Sequence, residues 1–225
     1  MQTNEEKIGI MQSPPAVAII VLNWNGWKDT VECLESLQHL TYPCYQMILI
    51  DNGSSDDSIA KIKSWCRGEI IVDTALVKFS HELKPVEYIE FDRLPAEKNK
   101  NTDFPVINYP PYKKLIVIKL DENKGFTGGN NAGIAYALKK GYKYIWLLNN
   151  DMVVNEDALV EMIKVGQSDK RIGMVGSKFY DYTRPNKVQY LGSNKIILPH
   201  RNFYWRSGRL DLCLAHIILV LVWGI

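Results

Sequence analysis

The sequence has little of what marks several common protein classes. Its four cysteines, Cys33, Cys44, Cys66 and Cys213, form no CxxC pair, so neither a zinc ribbon nor a disulfide framework is indicated. Three of them sit in apolar surroundings, where a free thiol acts as a small hydrophobe, and this usage suits a reducing compartment. The net charge is only +2, with lysine and arginine spread along the chain, which leaves no basic footprint for nucleic acid. No apolar run reaches the ~20 residues that span a bilayer. The first fifteen residues carry Glu5, Glu6, Pro14 and Pro15 in place of a signal peptide's basic start and apolar stretch, so 1–15 is expected to be a flexible leader. Walker A and GxGxxG spacings are absent too.

What the chain does have is a recurring pattern. Tyr144 to Leu148 is a nearly unbroken apolar run that stops at Asn149, Asn150 and Asp151. The run reads as a strand buried on both faces, and its polar end as a ligand edge, because open α/β sheets bind ligands outside the carboxyl ends of parallel strands. A turn or helix cap is the alternative reading of the same tripeptide. The pattern repeats at AVAIIVL (16 to 22), followed by Asn23, Trp24, Asn25 and Gly26, and at YQMILI (45 to 50), followed by Asp51, Asn52, Gly53 and Ser54. A cap or a turn explains each case singly, but does not predict that strand after strand should end in the same chemistry.

Helices are expected between these strands. Asp29 and Glu32 resemble a capping box, with Val31, Leu34, Leu37 and Leu40 facing inward. A second helix runs from about Asp57 to Cys66, capped by Ser55 or Asp56. LIVIK (115 to 119) is a third buried strand. After it, Phe126 to Asn131 open a helix that ends at Gly141; the glycine-rich start suits either an anion cradle or close helix packing. Asn155 is the expected cap of a last helix, Ile172 to Val175 a further strand, and 178–193 loop or edge structure. Residues 67–114 hold five of the ten prolines and read as an insertion. It is expected to include a strand near Glu87 to Phe91 and either to cover the site or to be a mobile surface loop.

These residues carry a family likeness. Through VAIIVLNWNG (17 to 26), ILIDNGSSDDS (48 to 58), NKGFTGGNNAGI (123 to 134) and YIWLLNNDMVV (144 to 154), the chain resembles the family 2 inverting glycosyltransferases of GT-A fold, especially their rhamnosyltransferase-like branch. The resemblance implies an α/β, Rossmann-like, mostly parallel sheet flanked by helices, with the Pro-rich insertion and a C-terminal part that reads as truncated. It places a nucleotide-sugar-binding domain at 16–209 and leaves 210–225 as an atypical apolar tail. Asn23 and Asn25 fall where the family lines the base pocket, and Asp51 where it binds the base or ribose. Lys124 and Asn131 lie in the segment beside the nucleotide. Asn149, Asn150 and Asp151 replace the family's D-x-D, with Asp151 as the ligand of Mn²⁺ or Mg²⁺.

The implied activity is metal-dependent transfer of a hexosyl or rhamnosyl group, with inversion, from a UDP-, dTDP- or GDP-linked donor to a saccharide or lipid-linked acceptor in cell-surface polysaccharide biosynthesis. Such a protein works in the cytoplasm or peripherally at the inner membrane face, without nucleic acid. The family's general base has no counterpart, since Asp211 is the only acid after Asp181 and lacks the family's surroundings. The run from Leu212 to Ile225, polar only at His216, is either a truncation or frameshift product unrelated to the fold, or an apolar helix that packs on the sheet or dips into a membrane. A catalytically inactive nucleotide-binding fragment is the competing reading. A sugar nucleotidyltransferase fits less well, because NWNGWK stands where its Gly-rich, basic loop would be.

Overall fold

In a computed structural model, residues 14–92, 115–190 and 218–221 are described. Four apolar segments form parallel strands: β1 (Val17–Asn23), β2 (Tyr45–Asp51), β4 (Leu115–Lys119) and β5 (Tyr144–Asn149). The edge strand β3 (Tyr88–Phe91) pairs parallel with β4. Because side chains alternate across a strand, β1 feeds two cores. Val17, Ile19 and Val21 face one side with Leu34, Trp65 and Met162, while Ala18 and Ile20 face the other with Ile48, Ile118 and Tyr136. Burying each large aliphatic side chain this way is worth about 1.5–3 kcal/mol.

Three helices cover the first face: α1 (Trp27–Gln38), α2 (Ser58–Cys66) and α4 (Ala158–Ser168). The inward stripe Val31, Leu34, Leu37 and Leu40 is buried as its spacing requires. The helix α3 (Gly125–Lys139) packs on the second face and stops at Gly141, whose φ of 75° suits the left-handed C′ position. Helix starts differ from the sequence expectation. Gly26, not Asp29, is the N-cap of α1, and Asp29 lies in its first turn, where a negative charge favours the helix dipole. Ahead of α2, the Asp56 carboxylate accepts from the Ser58 N–H while Asp57 takes the cap position. Asn155 instead receives the Asp157 N–H at 3.0 Å, forming a turn that delays α4 to Ala158.

Beyond β5 the chain forms β6 (Met174–Gly176), the hairpin strands β7 (Phe179–Asp181) and β8 (Arg184–Tyr190), and β9 (Ile218–Leu221). The central sheet runs β3-β4-β2-β1-β5-β9-β6, with β9 antiparallel to both neighbours. This corrects the expectation for the apolar tail: residues 218–221 are neither a helix nor outside the fold but a strand within the sheet. Residues 178–190, expected as loop or edge structure, form the two-stranded hairpin. Among the described residues no helix is long and apolar enough to cross a membrane.

The described part of the insertion is anchored rather than loose. Val72, Val77 and Val86 are buried in the first core. Lys84 reaches the fully buried Glu35 of α1 at 2.8 Å and lies 3.7 Å from the centre of the Trp65 ring. The remainder of the insertion, 93–114, and the positions Asp211, Cys213 and His216 lie outside the described residues.

Candidate functional site

Register brings the polar strand ends level. Asn23 pairs with Asp51 across β1 and β2, and Leu22 with Asn149 across β1 and β5. The carboxyl edge of three adjacent strands therefore carries Asn23, Asp51 and the turn Asn149-Asn150-Asp151, all within two strand spacings of about 4.8 Å each.

Asn23 is fully buried and does not open to solvent. Its amide donates to Asp51 Oδ1 at 2.8 Å and to Ser54 Oγ at 3.0 Å, while its oxygen accepts from Thr30 Oγ1 at 2.8 Å. Asp51, 3 % exposed, also accepts from the Ser54 hydroxyl and backbone N–H. Asn25 holds a left-handed φ of 50° and caps the neighbouring loop, accepting from the N–H groups of Ser55 and Asp56. These two asparagines shape the loop around Asp51. Asn52, which the sequence reading passed over, ties that loop to the next: its amide donates to Asn123 Oδ1 and its oxygen accepts from the Lys124 N–H. Gly53, at φ 71°, has no room for a Cβ, which would lie 2.5 Å from the Glu122 carbonyl carbon.

Two recesses open along this edge. The larger, about 670 Å³, is lined by Asp51, Ser54, Asp56, Asp92, Lys119 and Asp121 among others. Lys119 is paired with Asp92 at 2.5 Å and Glu90 at 2.9 Å, and both carboxylates hold its ammonium above its usual range. The smaller, about 230 Å³, is lined by Asp29, Glu32, Asp151, Met152, Val153 and Tyr182. Tyr182, from the turn between β7 and β8, donates to Glu32 at 2.8 Å. Partial burial, then the charges of Asp151 and Glu32, push the Asp29 carboxyl above the ordinary carboxylate range. Asp51 and Asp151 thus share an edge but line separate recesses.

The glycine-rich start of α3 serves close packing. A Cβ on Gly129 would sit 2.4 Å from a Leu22 methyl, and one on Gly133 2.6 Å from an Ile20 methyl. Lys124, at the N-cap, is exposed and paired with Glu122, and Asn131 is exposed on the helix. Neither lines either recess. Asn149 and Asn150 are half-buried; the Asn150 amide donates to Thr30 Oγ1 at 2.9 Å.

The donor chemistry of the smaller recess fits a hard divalent cation in one way only. Asp151 is exposed and offers carboxylate oxygens, and Asp29 and Glu32 add negative field. Yet no group of three or more His, Cys, Asp or Glu among the described residues converges to cage a metal. One carboxylate with the remaining positions filled by phosphate oxygens and water is the usual manner of Mg²⁺ binding.

The family model described as glycosyl transferase family 2 matches residues 18–77 and 98–217, most of the chain. The chain belongs to glycosyl transferase family 2. Its mostly parallel, helix-flanked sheet is the GT-A, Rossmann-like architecture of that family. Among solved structures, the family 2 chain is similar to the mannosyltransferase PcManGT from Pyrobaculum calidifontis in complex with GDP-Man and Mn²⁺, at 16 % identity and a TM-score of 0.49, over 72 % of this chain and 35 % of that one. It is also similar to S. aureus TarS 1–349, at 12 % identity and a TM-score of 0.46, over 92 % of this chain and 47 % of that one. The chain therefore spans less than half the length of either. No curated protein matches the sequence significantly.

Proposed function

We propose that this family 2 chain binds a nucleoside-diphosphate sugar and serves inverting, metal-dependent transfer of the sugar to an acceptor hydroxyl, in the manner of the rhamnosyltransferase-like branch. The observation that carries the reading is the placement of Asp51 and of the turn that carries Asp151 at one sheet edge. Asp51, held by Asn23 and Ser54, presents its carboxylate to the base or ribose in the larger recess. Asn149 and Asn150 contribute amides to the donor, and Lys124 and Asn131, which line neither recess, would reach it only from the exposed start of α3.

Asp151 would hold Mn²⁺ or Mg²⁺ together with the donor diphosphate. A metal bound there offsets charge on the departing diphosphate. In the transfer, the acceptor oxygen bonds to the anomeric carbon from the face opposite the diphosphate, the carbon–oxygen bond to the diphosphate breaks, and the acceptor proton passes to a base. None of the described residues is assigned as that base.

Residues 16–209 together with the sheet strand 218–221 make up the donor-binding domain in this proposal, with 1–15 as leader. UDP, dTDP and GDP sugars are the donor candidates, and saccharides or lipid-linked saccharides of the cell surface the acceptors. Cytoplasmic work at the membrane face suits such acceptors.

A thermal-shift and calorimetric screen of nucleoside diphosphates and their sugars, with and without Mn²⁺, tests the proposal. Metal-strengthened binding of one nucleotide class is the expected result, and Asp151→Ala should abolish the strengthening. Full retention of metal dependence in that variant would remove Asp151 from the metal site. Binding without turnover of any donor–acceptor pair would favour the inactive-fragment reading.

A further inference from the structure

A continuous polar chain is buried between the two recesses. It starts at Asp51 in the larger recess and passes through Asn23 to Thr30, both 0 % exposed, and then to Asn150, the residue beside Asp151 in the smaller recess. Its polarity is set from one end. The Asp51 carboxylate only accepts, so Asn23 must turn its NH₂ group toward Asp51 and its carbonyl toward Thr30. When Thr30 donates to Asn23, it keeps an oxygen lone pair to receive the Asn150 amide.

Thr30 has one hydroxyl proton and two acceptors within reach, Asn23 Oδ1 at 2.8 Å and the Gly26 carbonyl at 2.9 Å. The Asn150 amide lies between Thr30 and one of these acceptors, 2.9 Å from Thr30 Oγ1 and 3.4 Å from the Gly26 carbonyl. With two acceptors open to the one Thr30 proton, the junction can take two hydrogen-bond arrangements, the kind of two-state element that coupling between sites requires.

We infer that Thr30 is a positioning residue that couples occupancy of the Asp51 recess to the placement of the Asn150–Asp151 turn. A ligand that draws on the Asp51 carboxylate weakens its hold on Asn23, shifts the preference of the Thr30 proton, and changes the hold on Asn150. By linkage, a cation at Asp151 must strengthen the nucleotide by the same factor that the nucleotide strengthens the cation. The inference rests on the donor-binding reading above and goes beyond it by naming what joins its two halves.

The test compares wild type, Thr30→Val, Thr30→Ser and Asn150→Ala, each titrated calorimetrically with UDP, dTDP and GDP in the presence and absence of Mn²⁺. The readout is the ratio of the two affinities, which a purely structural role would leave unchanged. Wild type is expected to show a ratio of about tenfold, within the ordinary range for coupled sites. Thr30→Val, which keeps the shape and loses the hydroxyl, should lower the ratio severalfold, to what direct contact between the metal and the diphosphate supplies, while metal-free affinity stays within about twofold, and Thr30→Ser should restore it.

Asn150→Ala cuts the chain at its more accessible end and should lower the ratio as Thr30→Val does, with metal-free affinity falling too because Asn150 also meets the donor, so the ratio can still be read if the valine variant fails to fold. A wild-type ratio surviving in the folded variants overturns the inference and leaves the donor-binding reading intact. Failure of wild type to bind any of the nucleotides overturns that reading, and the inference with it.

Discussion

Asn23 Nδ2 donates to Asp51 Oδ1 at 2.8 Å, joining the last residues of two neighbouring parallel strands. The bond is buried, so neither partner can be replaced by water without rearrangement. Asp51 therefore has two duties, to hold the edge of the sheet together and to present a carboxylate to the larger recess.

Asp51→Ala should reveal both. The Asn23 amide and the Ser54 hydroxyl and N–H lose their acceptor, and stranded buried donors cost about 1–3 kcal/mol. Urea denaturation should show that loss of stability, and calorimetry without metal should show weakened nucleotide binding. Unchanged values in both would leave Asp51 with neither role.

Glu35 is fully buried, and its carboxylate receives Trp65 Nε1 at 2.6 Å, Lys84 Nζ at 2.8 Å and the Ser80 N–H at 3.3 Å. Glu35→Gln keeps the size but leaves the Lys84 ammonium without its counter-charge, a change that costs about 3–5 kcal/mol for a buried pair. Burial pushes Lys84 below the usual lysine range, and Glu35 opposes that shift. In the variant the folded state binds the Lys84 proton more weakly than the unfolded state does, so stability should recover as pH rises. Denaturation curves across the alkaline range provide the check, and a variant as stable as wild type at neutral pH would contradict it.

At Asp29 the sign runs the other way. Its folded carboxyl binds a proton more tightly than the unfolded one, because of partial burial and the charges of Asp151 and Glu32. That cost to stability grows as pH rises from the unfolded value through the folded one. Asp29→Asn should therefore raise the melting temperature at neutral pH, and the gain should vanish at a pH of about 3, where both carboxyl forms are largely protonated. Thermal scans at the two pH values separate this from a general packing effect, which would persist in acid.

Much of this architecture is legible along the chain. The apolar runs become β1, β2, β4 and β5 within a residue or so of their expected limits, because a strand buried on both faces must be apolar throughout. The polar residues that end them do reach a common edge. Helix starts are less legible, since Asp29, Ser55, Asp56 and Asn155 are all plausible caps, whereas the local turns put Gly26, Asp57 and Asp157 in the cap positions. Thr30 carries no signal at all: a single threonine in a helical stretch is ordinary until the fold sets it beneath Asn23 and Asn150. Asn52 is equally silent, because its partners lie some seventy residues onward at Asn123 and Lys124.

The sequence by itself determined the four apolar strands β1, β2, β4 and β5, the helices that follow them and the chemistry that ends β1, β2 and β5, because hydrophobic periodicity and turn residues act over a few neighbours. Only the tertiary structure decided that 218–221 enters the sheet antiparallel beside β5 and that Asn23 is spent on Asp51. It likewise decided that Asp51 and Asp151 line separate recesses linked through Thr30. Those outcomes depend on which distant backbones pair and which polar groups are left without water, and no local pattern encodes either.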